Sequence, residues 1–150
     1  MRGSPGAPLV VFYGDYTCPR CAVAHERLRD APLRVVFRHF AIAARHPRAV
    51  PLACAAEAAG RQGRFWEFHD ALFADTARID DPHLWSRARA LGLELDRFED
   101  DRRSEEVLAL VKACTRAGIR AGVAVTPTIF GDGETVAGAP DADLIARLSR

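Results

Sequence analysis

Pro8-Leu9-Val10-Val11-Phe12-Tyr13 runs through Gly14-Asp15-Tyr16-Thr17 into Cys18-Pro19-Arg20-Cys21, so an apolar run hands over to a helix start that carries two cysteines three residues apart. On a helix that spacing places both thiols on one face, one turn apart, which is the wiring of a dithiol/disulfide redox site. The first amide N–H groups of a helix lack intrahelical partners and carry partial positive charge, so a thiolate on Cys18 is stabilised and its pKa is expected to fall. The thiolate is the species that attacks a disulfide. Cys21, one turn further in, is placed to attack the resulting mixed disulfide. Pro19 suits the first helical position, where a missing N–H is no loss and φ is already helical.

Two other uses of such a pair are weaker. A zinc site needs a second pair of thiols or imidazoles at ligand spacing, and the remaining cysteines, Cys54 and Cys114, are isolated from any such partner. A purely structural pair fits poorly with a strand-to-helix junction.

The second informative stretch is Val125-Thr126-Pro127-Thr128-Ile129-Phe130-Gly131, a β-branched run entered through a proline. Proline in a strand pattern marks an edge or a strand's first residue. Together with Tyr13 to Cys21, Phe37-Arg38-His39-Phe40, Gln62-Gly63-Arg64-Phe65-Trp66-Glu67-Phe68-His69-Asp70 and Gly122 to Thr128, the chain resembles the DsbA-like branch of the thioredoxin superfamily. It is most similar there to cytosolic bacterial members and to thioredoxin domains fused to some Na+/H+ antiporters. The resemblance implies Cys18 as nucleophile, Cys21 as resolving thiol and Pro127 as a cis-proline facing them. It implies a redox-active cysteine pair with no further cofactor. Partners would be protein or peptide thiols and disulfides, with glutathione or another low-molecular-weight thiol as a further candidate.

At 150 residues the chain is long enough to bury about two-thirds of its extended surface in one domain. Hydrophobic residues at 49% and charged residues at 27% are ordinary for a globular protein, and a net charge of +1 gives no reason to expect nucleic acid or an anionic surface as partner. Lys112 is the single lysine, so arginine carries nearly all the positive charge. No stretch reads as a membrane span. Met1-Arg2-Gly3-Ser4-Pro5-Gly6 lacks an apolar secretory core, which leads to a cytoplasmic expectation. The first four of these residues also resemble an expression-tag remnant.

Periodicity then divides the chain. Leu9–Phe12 and Leu33–Phe40 read as strands, with a helix from Cys18 to Arg29 between them ended by Asp30-Ala31-Pro32. This β-α-β half occupies residues 1–49. Residues 50–118 read as helical throughout, in segments Leu52–Ala59, Phe65–Phe73, His83–Leu91 and one long stretch from Phe98 through Cys114, with Asp81-Pro82 as a cap-then-proline start. Residues 119–150 form a hairpin turned by Gly131-Asp132-Gly133 and a helix from Asp141 to Leu148. The fold expected is α/β, a thioredoxin fold with an inserted helical domain, arranged as in DsbA.

In that arrangement Cys18, His39 with Phe40, and Pro127 share one sheet edge. Thr126 is expected to donate its hydroxyl to the Cys18 thiolate, and Thr126 with Pro127 to meet an extended substrate. Arg20 is expected to favour the thiolate through its charge, and Pro19 to shape the same turn. Phe65, Trp66 and Phe68 could line a groove wall, although aromatic residues at helical spacing more often belong to the core. The same holds for His39, while His25, His46, His69 and His83 carry no motif that raises them above surface or core roles. Cys54 and Cys114 are either separate buried thiols or a second disulfide stapling the helices, as some actinobacterial relatives of the family carry. Two rival functions are a peptide-binding module with incidental cysteines and a glutathione-dependent transferase or isomerase of the kappa type. The latter commonly has serine where Cys18 stands.

Overall fold

The computed structural model describes residues 1–150. Its central sheet has strand order β2-β1-β3-β4, built from β1 (Leu9–Gly14), β2 (Arg34–His39), β3 (Thr128–Gly131) and β4 (Glu134–Ala137). Strand β1 pairs in parallel with β2, from Leu9 opposite Arg34 to Gly14 opposite His39. On its other side it pairs antiparallel with β3, from Val10 opposite Gly131 to Tyr13 opposite Thr128. The parallel pair needs a crossover. Helix α1 (Pro19–Arg29) supplies it and buries Cys21, Ala24, His25 and Leu28.

Strand β1 alternates faces, as a two-residue period requires. Val10 and Phe12 enter the main core with Leu28 of α1 and Ile129 of β3. Tyr13 faces the other way, into a small cluster with Phe40 and Val123. The hairpin β3–β4 closes through Asp132 and Gly133, both at positive φ (46° and 72°), which is the paired left-handed geometry of a two-residue hairpin turn. Helix α7 (Ala142–Leu148) starts at Asp141, whose Oδ1 accepts from the Leu144 N–H at 2.8 Å.

Between β2 and β3 lie α2 (Ala49–Arg61), α3 (Phe65–Ala74), α4 (Asp81–Ala90), α5 (Leu95–Arg103) and α6 (Glu105–Arg120). Helix α2 buries Ala53, Ala55, Ala56, Ala58 and Ala59, small side chains that let neighbouring elements approach closely. Leu52, Phe68, Leu72, Leu84 and Phe98 join the same apolar cluster as Phe12 and Leu28. The helical segment thus shares its main core with the sheet, although the sequence marks it off as a separate block.

Two boundaries differ from the sequence reading. The long stretch expected from Phe98 to Cys114 is two helices, because Ser104 is extended (φ −69°, ψ 147°) and its hydroxyl caps the Val107 N–H at 3.2 Å. Glu105 and Glu106 in the first turn of α6 then complement the helix dipole. The cap of α4 is Asp80, which accepts from the His83 N–H at 3.1 Å, one residue before the expected Asp81.

Residues 1–6 also do more than lead into β1. Arg2 forms an antiparallel bridge with Val35, its guanidinium holds Asp70 at 2.6 and 2.9 Å, and it lies 4.7 Å from the centre of the Trp66 ring. The Trp66 indole N–H donates to the Met1 carbonyl at 3.2 Å. These contacts tie the N-terminus to α3.

Helix α6 covers the Tyr13 face of the sheet at Gly118, where a β-carbon would come within 2.7 Å of the Phe40 ring and 2.9 Å of the Tyr13 ring. Gly118→Ala gains about 1 kcal/mol in helix propensity but forces the two rings apart at an overpacking cost of about 1–3 kcal/mol. The expected net result is a loss of about 1 kcal/mol, read as a lower urea midpoint at unchanged slope.

Candidate active site

Three strand ends converge on one edge of the sheet. Gly14 ends β1, His39 ends β2 beside it, and Thr128 begins β3 opposite Tyr13. Cys18 follows the first of these ends and Pro127 precedes the third. The peptide bond between Thr126 and Pro127 is cis.

The loop from β1 to α1 is held by its own side chains. Asp15 is 6% exposed, and its Oδ1 accepts from both the N–H and the hydroxyl of Thr17 at 2.8 Å. This is a local Asx-type turn that satisfies the carboxylate within the loop. The Cys18 N–H donates to the Asp15 carbonyl at 3.1 Å, and the Asp15 N–H donates to the Cys21 Sγ at 3.5 Å. Cys18 occupies the N-cap position of α1 with Pro19 directly inside the helix. Cys18 is half-buried and Cys21 fully buried, so the two sulfurs differ in access as well as in position.

The two sulfurs share one proton unevenly. The Cys21 thiol stabilises a Cys18 thiolate by hydrogen bonding, against an opposing contribution from partial burial, and the Thr126 side chain and the backbone N–H groups of Cys21 and Arg20 add to it, so that the Cys18 pKa falls to about 5. The pKa of Cys21 moves far upward, first because it holds the hydrogen bond to Cys18 and then because it is buried. An ordinary thiol titrates near about 8.5. Cys18 is therefore a thiolate at neutral pH and Cys21 a thiol.

Thr126 serves the site through two groups. Its carbonyl lies 3.5 Å from the Cys18 Sγ and accepts from the thiol form, while its side chain favours the thiolate. Arg20 acts differently from the sequence reading: its side chain is exposed and reaches toward Gly138, and the contribution to Cys18 comes from its backbone N–H. The screened guanidinium is replaced in this role by the helix terminus itself.

Of the aromatic residues that could have lined a groove wall, Phe68 and Trp66 lie elsewhere, while half-buried Phe65 packs with its ring centre 6.2 Å from that of His39 at the sheet edge. Phe68 is fully buried against Phe98, and Trp66 is taken up by Arg2 and Met1. Phe65 packs edge-on to Trp66, with ring centres 5.2 Å apart. His39 is 2% exposed, and its Nε2 pairs with Glu57 Oε1 at 2.8 Å, which makes it a satisfied packing residue. All four cysteines are free thiols. Cys54 sits among Ala49, Ala53, Val107 and Val111, and burial followed by the nearby Glu57 pushes it up to about 11. Cys114 lies 4.0 Å from an Arg38 guanidinium nitrogen.

The sequence reading missed a buried polar group behind α1. The Tyr16 hydroxyl meets His69 Nδ1 at 2.7 Å, and His25 Nε2 lies 3.4 Å from Asp70 Oδ1. Burial lowers the pKa of both histidines. Tyr16 adjoins the cysteine motif in sequence, but its partner His69 comes from α3, 53 residues away, and no local pattern announces it.

A family model described as the DSBA-like thioredoxin domain matches residues 9–148. The chain belongs to the DSBA-like thioredoxin domain family. Among solved structures, it is similar to a thioredoxin-like oxidoreductase from Silicibacter pomeroyi, with a TM-score of 0.82 and 25% identity over 97% of this chain and 91% of that one. BdbD from Bacillus subtilis also superposes with a TM-score of 0.82, at 21% identity over 97% of this chain and 87% of that one. The thiol-disulfide exchange protein alpha-DsbA2 from Wolbachia pipientis does so at 19% identity, covering 97% and 82%. Curated relatives include a Na(+)/H(+) antiporter NhaA 1 from Salinispora arenicola, 37% identical across 89% of this chain, and one from Mycolicibacterium gilvum, 35% identical across 98%. The chain spans only 21% and 25% of the length of these two relatives. No helix is long and apolar enough to cross a membrane.

The low pKa of Cys18 has a signed consequence for stability. Between about pH 5 and about 8.5 the unfolded chain binds a proton on this thiol and the folded chain does not, so the stability of the reduced protein rises with pH across that window. The contribution is complete above the upper value and lost as pH falls through the lower one. Buried His25 and His69 add a rise of the same sign below about 6.5. Thermal melts of the reduced protein and of Cys18→Ser are expected to diverge between about pH 6.5 and 8.5, with a flatter profile in the variant.

The hydrogen bond from Thr126 gives a second test. Thr126→Val is expected to raise the midpoint of the pH profile for alkylation of Cys18, while the fold survives because Thr126 is only half-buried. A profile that does not move assigns the low pKa to Cys21 and the helix terminus alone.

Proposed function

We propose that this chain is a thiol-disulfide oxidoreductase that exchanges disulfides with protein or peptide substrates through Cys18 and Cys21. The observation that carries this reading is the unequal sharing of one proton between a half-exposed and a buried sulfur, at a helix N-terminus and beside Thr126. A structural cysteine pair gains nothing from such a division.

In the reducing direction the Cys18 thiolate attacks one sulfur of a substrate disulfide, forms a mixed disulfide and releases the other substrate sulfur as thiolate. Cys18 has then lost its charge, and the hydrogen bond that held the proton on Cys21 goes with it. Cys21 gives up that proton to the departing substrate thiolate and attacks the Cys18 sulfur. The mixed disulfide breaks, the substrate leaves with both sulfurs reduced, and the protein holds a Cys18–Cys21 disulfide. Each step is reversible. A substrate strand would lie along residues 124–126, where Val125 is 45% exposed and the Thr126 N–H makes no hydrogen bond within the chain, so backbone pairing beside the attacking sulfur is available.

The thiolate bears on the redox potential of the pair. Stabilising Cys18 as thiolate stabilises the reduced protein and makes its disulfide more oxidising. Thioredoxin, with a nucleophile near about 7, has a potential of about −270 mV, and DsbA, near about 3.5, has about −120 mV. A Cys18 pKa of about 5 is intermediate between those two nucleophiles.

Two measurements test the reading. Cys18→Ser is expected to abolish disulfide exchange, whereas Cys21→Ser accumulates a mixed disulfide visible as a reducible adduct by mass spectrometry. Turnover that persists in Cys18→Ser would overturn the assignment. Equilibration with a glutathione redox buffer measures the potential: a value of about −120 mV makes the protein an oxidant and one of about −270 mV a reductant.

A further inference from the structure

The densest set of ligand-type side chains outside the cysteine site lies between α1 and α3. His25 of α1, His69 and Asp70 of α3 each offer a ligand atom within 4.8 Å of the other two. His25 and His69 are 8% and 1% exposed, and the Asp70 side chain is 33% exposed. His25 and Asp70 also line a cavity of about 330 Å³ together with Ala22, Glu26, Arg29 and Phe73.

We propose that His25, His69 and Asp70 form a binding site for a divalent transition-metal ion of the zinc class, with a remaining coordination position open to this cavity. Two imidazoles and one carboxylate are a donor set that suits zinc, cobalt or nickel, and three protein ligands with one open position is a common zinc arrangement.

The surroundings are those a metal-binding imidazole needs. The Tyr16 hydroxyl stands 2.7 Å from His69 Nδ1. With that nitrogen donating to the phenol oxygen, Nε2 is the lone-pair nitrogen, which is how an outer partner fixes the tautomer of a ligating histidine. Tyr16 itself stays a neutral phenol because burial pushes its pKa up. The His25 ring stacks on Phe73 at 4.9 Å between centres, and His69 sits edge-on to Phe37 at 4.5 Å, so neither ring is free to turn.

Arg2 is the cation with which a metal ion competes at the Asp70 carboxylate. It holds Asp70 Oδ2 at 2.6 Å and Oδ1 at 2.9 Å. A metal ion would displace the guanidinium from Oδ1, the oxygen that faces His25 Nε2 at 3.4 Å, and leave it the contact with Oδ2. Ligand atoms around tetrahedral zinc stand about 3.3–3.6 Å apart. The partly exposed Asp70 carboxylate is the group able to close that spacing. Because His25 lies one turn along α1 from Cys21, the ion would fasten the back of the cysteine helix to α3.

The test is a titration of the Cys18→Ser/Cys21→Ser chain with Co2+, which removes the reactive thiols as competing ligands. One equivalent is expected to bind with the visible spectrum of nitrogen and oxygen coordination, to be displaced by Zn2+, and to raise the melting temperature. His25→Gln and Asp70→Asn are each expected to weaken binding by about tenfold or more. Should His25→Gln fail to fold by circular dichroism, the more exposed Asp70→Asn decides. Absence of saturable binding, unchanged affinity in Asp70→Asn, or a thiolate-to-cobalt charge-transfer band from Cys54 or Cys114 would overturn the proposal. The disulfide-exchange reading is untouched by any of these results, since it is read on Cys18→Ser in a separate assay.

Discussion

The register of β1 between its two neighbours is the constraint from which the site follows. Parallel pairing with β2 brings Gly14 level with His39, and antiparallel pairing with β3 brings Tyr13 level with Thr128. The chain leaves β1 and enters β3 at the same edge, so Cys18 and Thr126 meet although 108 residues separate them. A slip of one residue would turn Val10 and Phe12 out of the main core and Tyr13 away from Gly118, so burial on both faces of β1 locks the register.

On that platform the electrostatics of the cysteine pair rest mainly on hydrogen bonds to dipoles. The causes that lower the Cys18 pKa are hydrogen bonds rather than formal charges, and the Arg20 guanidinium points to Gly138. The thiolate is held by the Cys21 thiol, the Thr126 side chain and backbone N–H groups at the start of α1. Such short-range donors are less sensitive to salt than an exposed ion pair would be. On the proposed mechanism, loss of the Cys18 charge in a mixed disulfide removes the hydrogen bond that holds the proton on Cys21.

The helical segment contributes support more than surface. Its aromatic residues are drawn into the shared core or against the N-terminus: Phe68 stacks toward Phe98, and Trp66 lies under Arg2. Behind α1 it delivers His69 and Asp70 to His25 and Tyr16, a polar group in an otherwise apolar layer that includes Phe37 and Phe73. Buried polar groups persist where their partners satisfy them, and here Tyr16, Arg2 and Asp70 do so across three segments of the chain.

The sequence by itself determined the strand-helix junction at Cys18, the β-α-β and β-β-α halves, and the hairpin at Asp132-Gly133, because each is written in local periodicity, proline and glycine placement, or helix-terminus chemistry. It also carried the break at Ser104, legible as a serine followed by two glutamates, although the apolar repeat through Phe98 and Val107 masks it. Only the tertiary structure decided where Arg20 points, that Trp66 is covered by Arg2, and that His25, His69 and Asp70 converge. Each of these depends on the approach of segments distant in the chain, and that approach is set by the packing of α1 and α3 on one sheet face, a property that no residue carries alone.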